Sequence, residues 1–196
     1  MSFITRGFTG GGRERDPRLP PGQTLVADWP VLSAGPTPEV STDGWTFSVR
    51  TETGLTTFTW DELLALGVDD VTVDIHCVTH WTKLDMDWRG VSLDAIFENI
   101  ETSADYVMVH SHGGYTTNVA LDDLLGGKAW IATEAEGEPL EPEHGGPARL
   151  LVPALYFWKS AKWVRGLVMM DDDEPGFWEQ NGYHMHGDPW TEERYW

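Results

Sequence analysis

The chain has a single cysteine, Cys77, among its 196 residues. No disulfide can form within it, and no cysteine-ligated iron–sulfur cluster can be built. Lysine is almost as scarce: Lys83, Lys128, Lys159 and Lys162 complete the set. Only 13 basic side chains face 32 acidic ones, for a formal net charge of −19. A surface of that sign repels nucleic acid and anionic lipid, which argues against both as partners. No apolar run is long enough to cross a bilayer, so no membrane insertion is expected. The opening stretch from Met1 to Gly7 has neither a charged region leading into an apolar one nor a twin-arginine pair, which points to a cytoplasmic protein. No Gly-x-Gly-x-x-Gly or P-loop pattern occurs.

What is present reads as one domain of α+β class. Residues 1–22 are rich in Gly, Pro and Arg and form an expected irregular arm; 23–196 form the domain. Val31 to Pro38 reads as extended. Trp45, Phe47 and Val49 alternate as a strand, Thr51 to Gly54 turns the chain, and Leu55 to Phe58 returns it. Thr59 and Glu62 form a capping box that opens a short helix ending at Gly67. Val71, Val73 and Ile75 alternate with Thr72 and Asp74 as a half-buried strand that delivers Cys77. Ser92 caps a second helix with Leu93, Ile96, Phe97 and Ile100 on its buried face. Tyr106 to His110, Tyr115 to Val119, Ala129 to Thr133, Leu150 to Val152 and Val164 to Met170 supply further strands. Short helices among scattered strands, without βαβ regularity, favour α+β over a doubly wound fold.

Two segments carry chemistry. In Ile75-His76-Cys77-Val78-Thr79-His80 a strand presents a thiol beside two histidines. Such a thiol can ligate a metal or attack a substrate; the bland alternative is a small buried apolar side chain. The second segment runs from His144 through Arg149, Lys159, Ser160 and Lys162 to Arg165. It holds no Asp or Glu, so its cations lack local counterions in an acidic chain. That arrangement suits a held anion such as a phosphate, with Arg placed for bidentate contact. A zinc site drawn from His76, Cys77, His80, His110 and His112 is a rival reading. Adjacent strand residues point to opposite faces, however, which separates His76 from Cys77. The acidic run Asp171 to Glu174 reads either as a cation site or as a solvated loop.

Together the two segments resemble the molybdopterin-binding domain of the sulfite oxidase family, which includes bacterial sulfoxide-reductase catalytic subunits. Cys77 matches that family's molybdenum-ligating cysteine. His144, Gly145, Pro147, Arg149, Pro153, Lys159, Lys162 and Trp163 match its downstream pattern, and the likeness extends from about Trp29 to Tyr183. The resemblance implies a molybdenum-molybdopterin cofactor and oxygen-atom transfer to or from a small molecule. Cys77 would be the metal ligand and Tyr183 a catalytic hydroxyl. Arg149, Lys159, Ser160 and Lys162 would hold the pterin phosphate. His76, Thr79, His80, His112 and His144 would contact the cofactor. A separate electron-transfer partner is implied, since no haem, flavin or cluster motif is present. The likeness departs at the family's active-site arginine, which has no match near Asp28 to Val31, and Val78 to Trp81 also carry none. A non-catalytic cofactor-binding module is the other reading that the same residues allow.

The charge balance generates one prediction. Scarce lysine with abundant Asp and Glu is the composition of a protein working in concentrated salt. The screening length contracts from about 30 Å at 0.01 M to about 3 Å at 1 M. The melting temperature is therefore expected to climb through a KCl series into the molar range; a flat curve would rule out salt adaptation.

Overall fold

The computed structural model describes residues 16–196. In chain order the first strands are β1 (Thr24–Leu25), β2 (Thr46–Arg50), β3 (Leu55–Thr59), β4 (Asp69–His76), β5 (Trp81–Ser92) and β6 (Tyr106–Ser111). They are followed by β7 (Thr116–Ala120), β8 (Trp130–Ala135), β9 (Glu138–Pro139), β10 (Arg149–Leu151) and β11 (Val164–Met170). Three short helices, α1 (Trp60–Ala65), α2 (Leu93–Phe97) and α3 (Phe177–Gln180), complete the set of longer elements. The class is α+β, rich in strand. Among the described residues no helix is long and apolar enough to cross a membrane.

The strands form two mixed sheets. One runs β1-β5-β8-β10, with β4 paired to β5 and β9 to β8; the other runs β3-β2-β11-β6-β7. The first sheet is covered on both faces, and its neighbouring residues divide between two cores. Val91, Ile131 and Leu150 face one core with Phe47, Val49, Val107 and Leu167 of the second sheet. Trp88, Ala132 and Leu151 face the other, with Ile75, Cys77, Trp81, Tyr156 and Trp158. That is the period-2 geometry of a strand buried on both sides. Gly90 lies where β5 shifts register against β8. A Cβ there would meet the Ile131 carbonyl oxygen at 2.5 Å and the Ala132 Cα at 2.7 Å, so only glycine permits this close approach.

Most expected elements occupy their expected places. The capping box forms, with Thr59 accepting from the Glu62 N–H and the Glu62 carboxylate accepting from the Thr59 N–H. Ser92 caps α2, which stops at Phe97, short of Ile100. The longest strand, the 12-residue β5, is the main element that periodicity misses. Its alternation breaks at Asp85, whose φ is +52°, opposite a bulge in β4 between Val73 and Ile75. Residues 1–15 of the expected arm lie outside the described residues. Arg18 pairs with Asp85 at 2.7 Å, and the Gly22 carbonyl meets His80 Nδ1 at 3.0 Å.

The tail is less polar than its composition suggests. α3 brings Glu179 inside, where it meets Lys159 Nζ at 2.7 Å with both side chains fully buried. The same carboxylate oxygen accepts from Trp158 Nε1 at 2.8 Å and from Thr117 Oγ1 at 3.2 Å. Lys159 also donates to the carbonyl and side-chain oxygens of Asn118, each at 2.8 Å. Deleting one partner of a buried pair strands the other charge, at a cost of about 3–5 kcal/mol. Lys159→Met is accordingly expected to lower the urea midpoint sharply, and Lys159→Met with Glu179→Leu to recover much of the loss. A single variant as stable as the parent would show that the pair does not bind α3 to the sheet.

Candidate functional site

Cys77 follows directly on β4, at the start of the turn into β5. Its N–H donates to the Trp81 carbonyl at 2.8 Å and its own carbonyl accepts from the His80 N–H at 3.1 Å. His80 takes the left-handed conformation, φ +72°, that closes the turn. Two distant side chains lock the turn from outside. Gln23 Nε2 donates to the Cys77 carbonyl at 3.0 Å, and Arg194 Nη1 to the Val78 carbonyl at 2.6 Å. The thiol is buried, with Thr79 Oγ1 at 3.2 Å from Sγ. Burial pushes its pKa up, against weaker opposing pulls from Thr79 and Arg194. Left alone it stays a thiol at neutral pH; a metal cation at the same place would deprotonate it.

Arg149 opens β10 and is only 1 % exposed. Its Nη1 donates to the His144 carbonyl and its Nη2 to the Ser160 carbonyl, both at 2.7 Å. The guanidinium lies 4.1 Å from the Phe157 ring centroid and 5.6 Å from that of Trp29. Its Nε has no partner among the described residues. Among the described residues no carboxylate forms an ion pair with it, and burial pulls its pKa down to about 9. Lys162 sits close by and donates to the Leu32 carbonyl at 2.8 Å. Burial, reinforced by Arg149, brings its pKa to about 8. A buried cation without a counterion is costly, and an anion bound here would relieve that cost. His144 stacks on Trp29 at 3.8 Å with the rings 7° apart. Burial, then Arg149 and Lys162, holds its imidazole below the usual range.

One cavity of about 530 Å³ joins these parts. Cys77, Thr79, His112, His144, Arg149, Ser160, Lys162 and Tyr183 all line it. The irregular segment between Trp29 and Pro38 lines it as well. Tyr183 stacks on Trp178 at 4.8 Å and meets Trp158 edge-on at 5.1 Å. Burial raises the pKa of its hydroxyl, helped by Tyr195 and Cys77. Three buried polar atoms of lining residues lack partners among the described residues: Trp81 Nε1, His112 Nε2 and Arg149 Nε. Buried donors and acceptors are rarely left unpaired. This wall fits a polar, anionic ligand of cofactor size lying between Cys77 and Arg149.

Three expected contacts are corrected. Lys159 does not line the cavity, because its charge is consumed by Glu179 and Asn118. Its counterion is simply distant in sequence. His76 leaves on the opposite face from Cys77; its Nδ1 pairs with Thr82 Oγ1 at 2.9 Å. His80 turns outward to the Gly22 carbonyl. The zinc set is not assembled either. His110 opens on a separate surface hollow with Asp171, Asp172 and Glu174, while His112 faces the main cavity. Among the described residues no group of three His, Cys, Asp or Glu side chains could hold a metal ion. Sequence reasoning misses Gln23, Arg194 and Glu179, which act from far along the chain. The 11 tryptophans of the sequence are a compositional signal that agrees with this aromatic wall.

Comparison with known proteins agrees with this geometry. Residues 34–178 match the sequence profile described as "Oxidoreductase molybdopterin binding domain". The chain is similar to the uncharacterized oxidoreductase YuiH of Bacillus subtilis, at 43 % identity over 91 % of this chain and 92 % of that one. It is similar to a putative protein-methionine-sulfoxide reductase subunit, YedZ1, of Azospira oryzae, at 29 % identity over 66 % of this chain and 50 % of the other. The sulfane dehydrogenase SoxCD of Paracoccus pantotrophus shares the fold, with a TM-score of 0.63 at 20 % identity; the likeness covers 74 % of this chain and 42 % of that one.

The depressed pKa of Lys162 has a defined sign. Its folded value of about 8 lies below the ordinary 10.5, so the unfolded chain binds more protons in that window and stability gains with rising pH. In cofactor-free protein, the melting temperature relative to Lys162→Met is expected to rise from about pH 8 to about pH 10.5. A constant difference across the window would show that Lys162 is not strained by its setting.

Proposed function

Since the chain belongs to the oxidoreductase molybdopterin-binding domain family, a family whose cofactor is molybdenum-molybdopterin, we propose that it is an oxygen-atom-transfer enzyme with Cys77 as the protein ligand to the metal. When bound, the cofactor supplies a metal that moves between oxidation states two electrons apart and so exchanges oxygen with a substrate. The residues described above divide the remaining work. Arg149 and Lys162 neutralise the pterin phosphate, with Ser160 beside them. His144 and His112, both neutral at pH 7 because burial depresses them, offer ring nitrogens to the pterin, and Thr79 offers its hydroxyl. Cys77 contributes a soft thiolate, which suits molybdenum better than an oxygen ligand would. Tyr183, protonated because burial raises its pKa, holds a proton at its hydroxyl on the substrate side of the cavity.

The observation that carries this reading is the presence on one cavity wall of Cys77 and of a buried Arg149 that, among the described residues, has no carboxylate partner. The name of the Azospira relative supports a sulfur-containing substrate. Electrons must pass to or from a separate carrier, because Cys77 is the only cysteine and is spoken for. A non-catalytic module would keep the phosphate contacts but have no need of Tyr183.

Protein made in a host that synthesises the cofactor is expected to contain stoichiometric molybdenum and to release a fluorescent pterin on oxidative denaturation. Cys77→Ser should keep the pterin while losing turnover with a dye as electron carrier. Arg149→Met should lose a charge-assisted contact of about 1.5–3 kcal/mol, a fall of roughly ten- to a hundred-fold in cofactor affinity. Stoichiometric zinc without pterin, or full pterin occupancy in Arg149→Met, would overturn the assignment.

A further inference from the structure

The segment 184–196 ties one sheet to the other. On one side it meets Asp123, in the single helical turn Leu121–Asp123 that follows β7 of the second sheet. On the other, Arg194 reaches the Cys77 turn, between β4 and β5 of the first sheet. Arg194 is 7 % exposed. Besides binding the Val78 carbonyl, it donates through Nη2 to the Pro21 carbonyl at 3.2 Å, and its guanidinium lies 4.8 Å from the Tyr156 ring centroid. Its backbone is pinned as well: its N–H donates to the Glu192 carbonyl at 2.7 Å, and its carbonyl accepts from the His184 N–H at 3.2 Å.

A series of charged contacts closes this segment. Glu193, next to Arg194, accepts from the Asp188 N–H at 2.9 Å through the same oxygen that meets His186 Nδ1 at 2.8 Å. The other ring nitrogen, Nε2, meets Asp123 Oδ2 at 3.1 Å. A ring that bridges two carboxylates donates through both nitrogens, so it carries a proton. Hydrogen bonding to Asp123, then to Glu193, holds the His186 pKa up at about 9 against the effect of burial. His184 Nδ1 shapes the corner by accepting the N–H groups of His186 and Gly187 at 3.2 and 3.3 Å. At Gly187 the segment lies tight on the cavity wall, where a Cβ would meet Trp158 Cζ2 at 2.8 Å.

Charge-assisted bonds are the strong ones, and here they act in series. The Val78 carbonyl belongs to the peptide that leads on to Thr79, whose hydroxyl lies 3.2 Å from the Cys77 sulfur. The placement of Arg194 therefore sets the orientation of the turn around that sulfur. We propose that His186 and Glu193 are positioning residues for Cys77: the Asp123–His186–Glu193 clasp holds Arg194 against the Val78 carbonyl and so fixes the turn that presents the sulfur. The consequence for a bound metal rests on the reading of Cys77 as its ligand.

The test compares Glu193→Gln, His186→Gln and Arg194→Met with the parent, each as the full chain made with and without the cofactor. In cofactor-free protein, amide hydrogen exchange is followed at Cys77 and His80, whose N–H groups close the turn. Loss of a charge-assisted bond predicts a rise of about ten-fold or more in local opening for Arg194→Met. A smaller rise is expected in Glu193→Gln and His186→Gln, although neither residue touches the turn. Arg194→Lys, which keeps the charge, should return much of the protection. Glu52→Gln is the control. Its carboxylate accepts from the Ser103 N–H at 2.6 Å and from Thr102 Oγ1 at 2.9 Å on a different turn, so its loss should leave Cys77 and His80 unchanged. In loaded protein, with molybdenum and pterin assayed first, the sulfur-to-metal absorption band should shift in Glu193→Gln while cofactor content stays constant. Parent exchange rates at Cys77 and His80 in both Glu193→Gln and His186→Gln would overturn the proposal. So would a rise of equal size at every amide, or an unmoved band in loaded Glu193→Gln. A parent that takes up no molybdenum would fail the cofactor reading alone, and the exchange rates would still decide the clasp.

Discussion

The cost of burying the Arg149 guanidinium without a carboxylate organises this structure. A cation at the heart of a protein is tolerated when something of opposite sign shares its dielectric. The chain has ample acidic residues, yet among the described residues none forms an ion pair with it. Carbonyls of His144 and Ser160 orient the group, and Phe157 supports it from below. An anion would relieve the cost of that burial, and the surrounding elements can be read by how they meet the guanidinium. β10 carries the arginine, the segment after it brings Ser160 and Lys162, and Trp29 closes over His144 from the other side.

Lys159 shows the contrast. It stands ten residues beyond Arg149, is equally buried, and looks equivalent along the chain. Its environment is the opposite, because α3 supplies Glu179 at contact distance. One buried cation is neutralised by a carboxylate of the fold, and the other is held by carbonyls alone. The cavity wall joins the two, since Trp158 touches Glu179 through its indole N–H and Tyr183 through its ring.

Legibility from the sequence follows this division. Cys77 and the run from His144 to Lys162 could be read because the residues that carry chemistry lie close together along the chain. Most short elements could be read because caps and alternation are local. β5 hides because a left-handed Asp85 and a facing bulge break its period. The partners of Lys159, His76 and His80 are hidden for one reason: each is reached through tertiary contact, in Glu179, Thr82 and Gly22. Gln23 and Arg194 stayed invisible because nothing near them in sequence marks them as neighbours of Cys77.

The turn that bears Cys77 is clamped by residues 54 positions before it and, through Val78, 116 positions after. Loops of that span close slowly and late, since their entropy must be offset before the contacts form. During synthesis the thiol emerges long before Arg194 does, so the nascent chain presents this turn held from one side only. The geometry around the sulfur is therefore among the last features of the molecule to mature. Any partner molecule that requires that geometry has to be received by a chain in which all three segments have already come together.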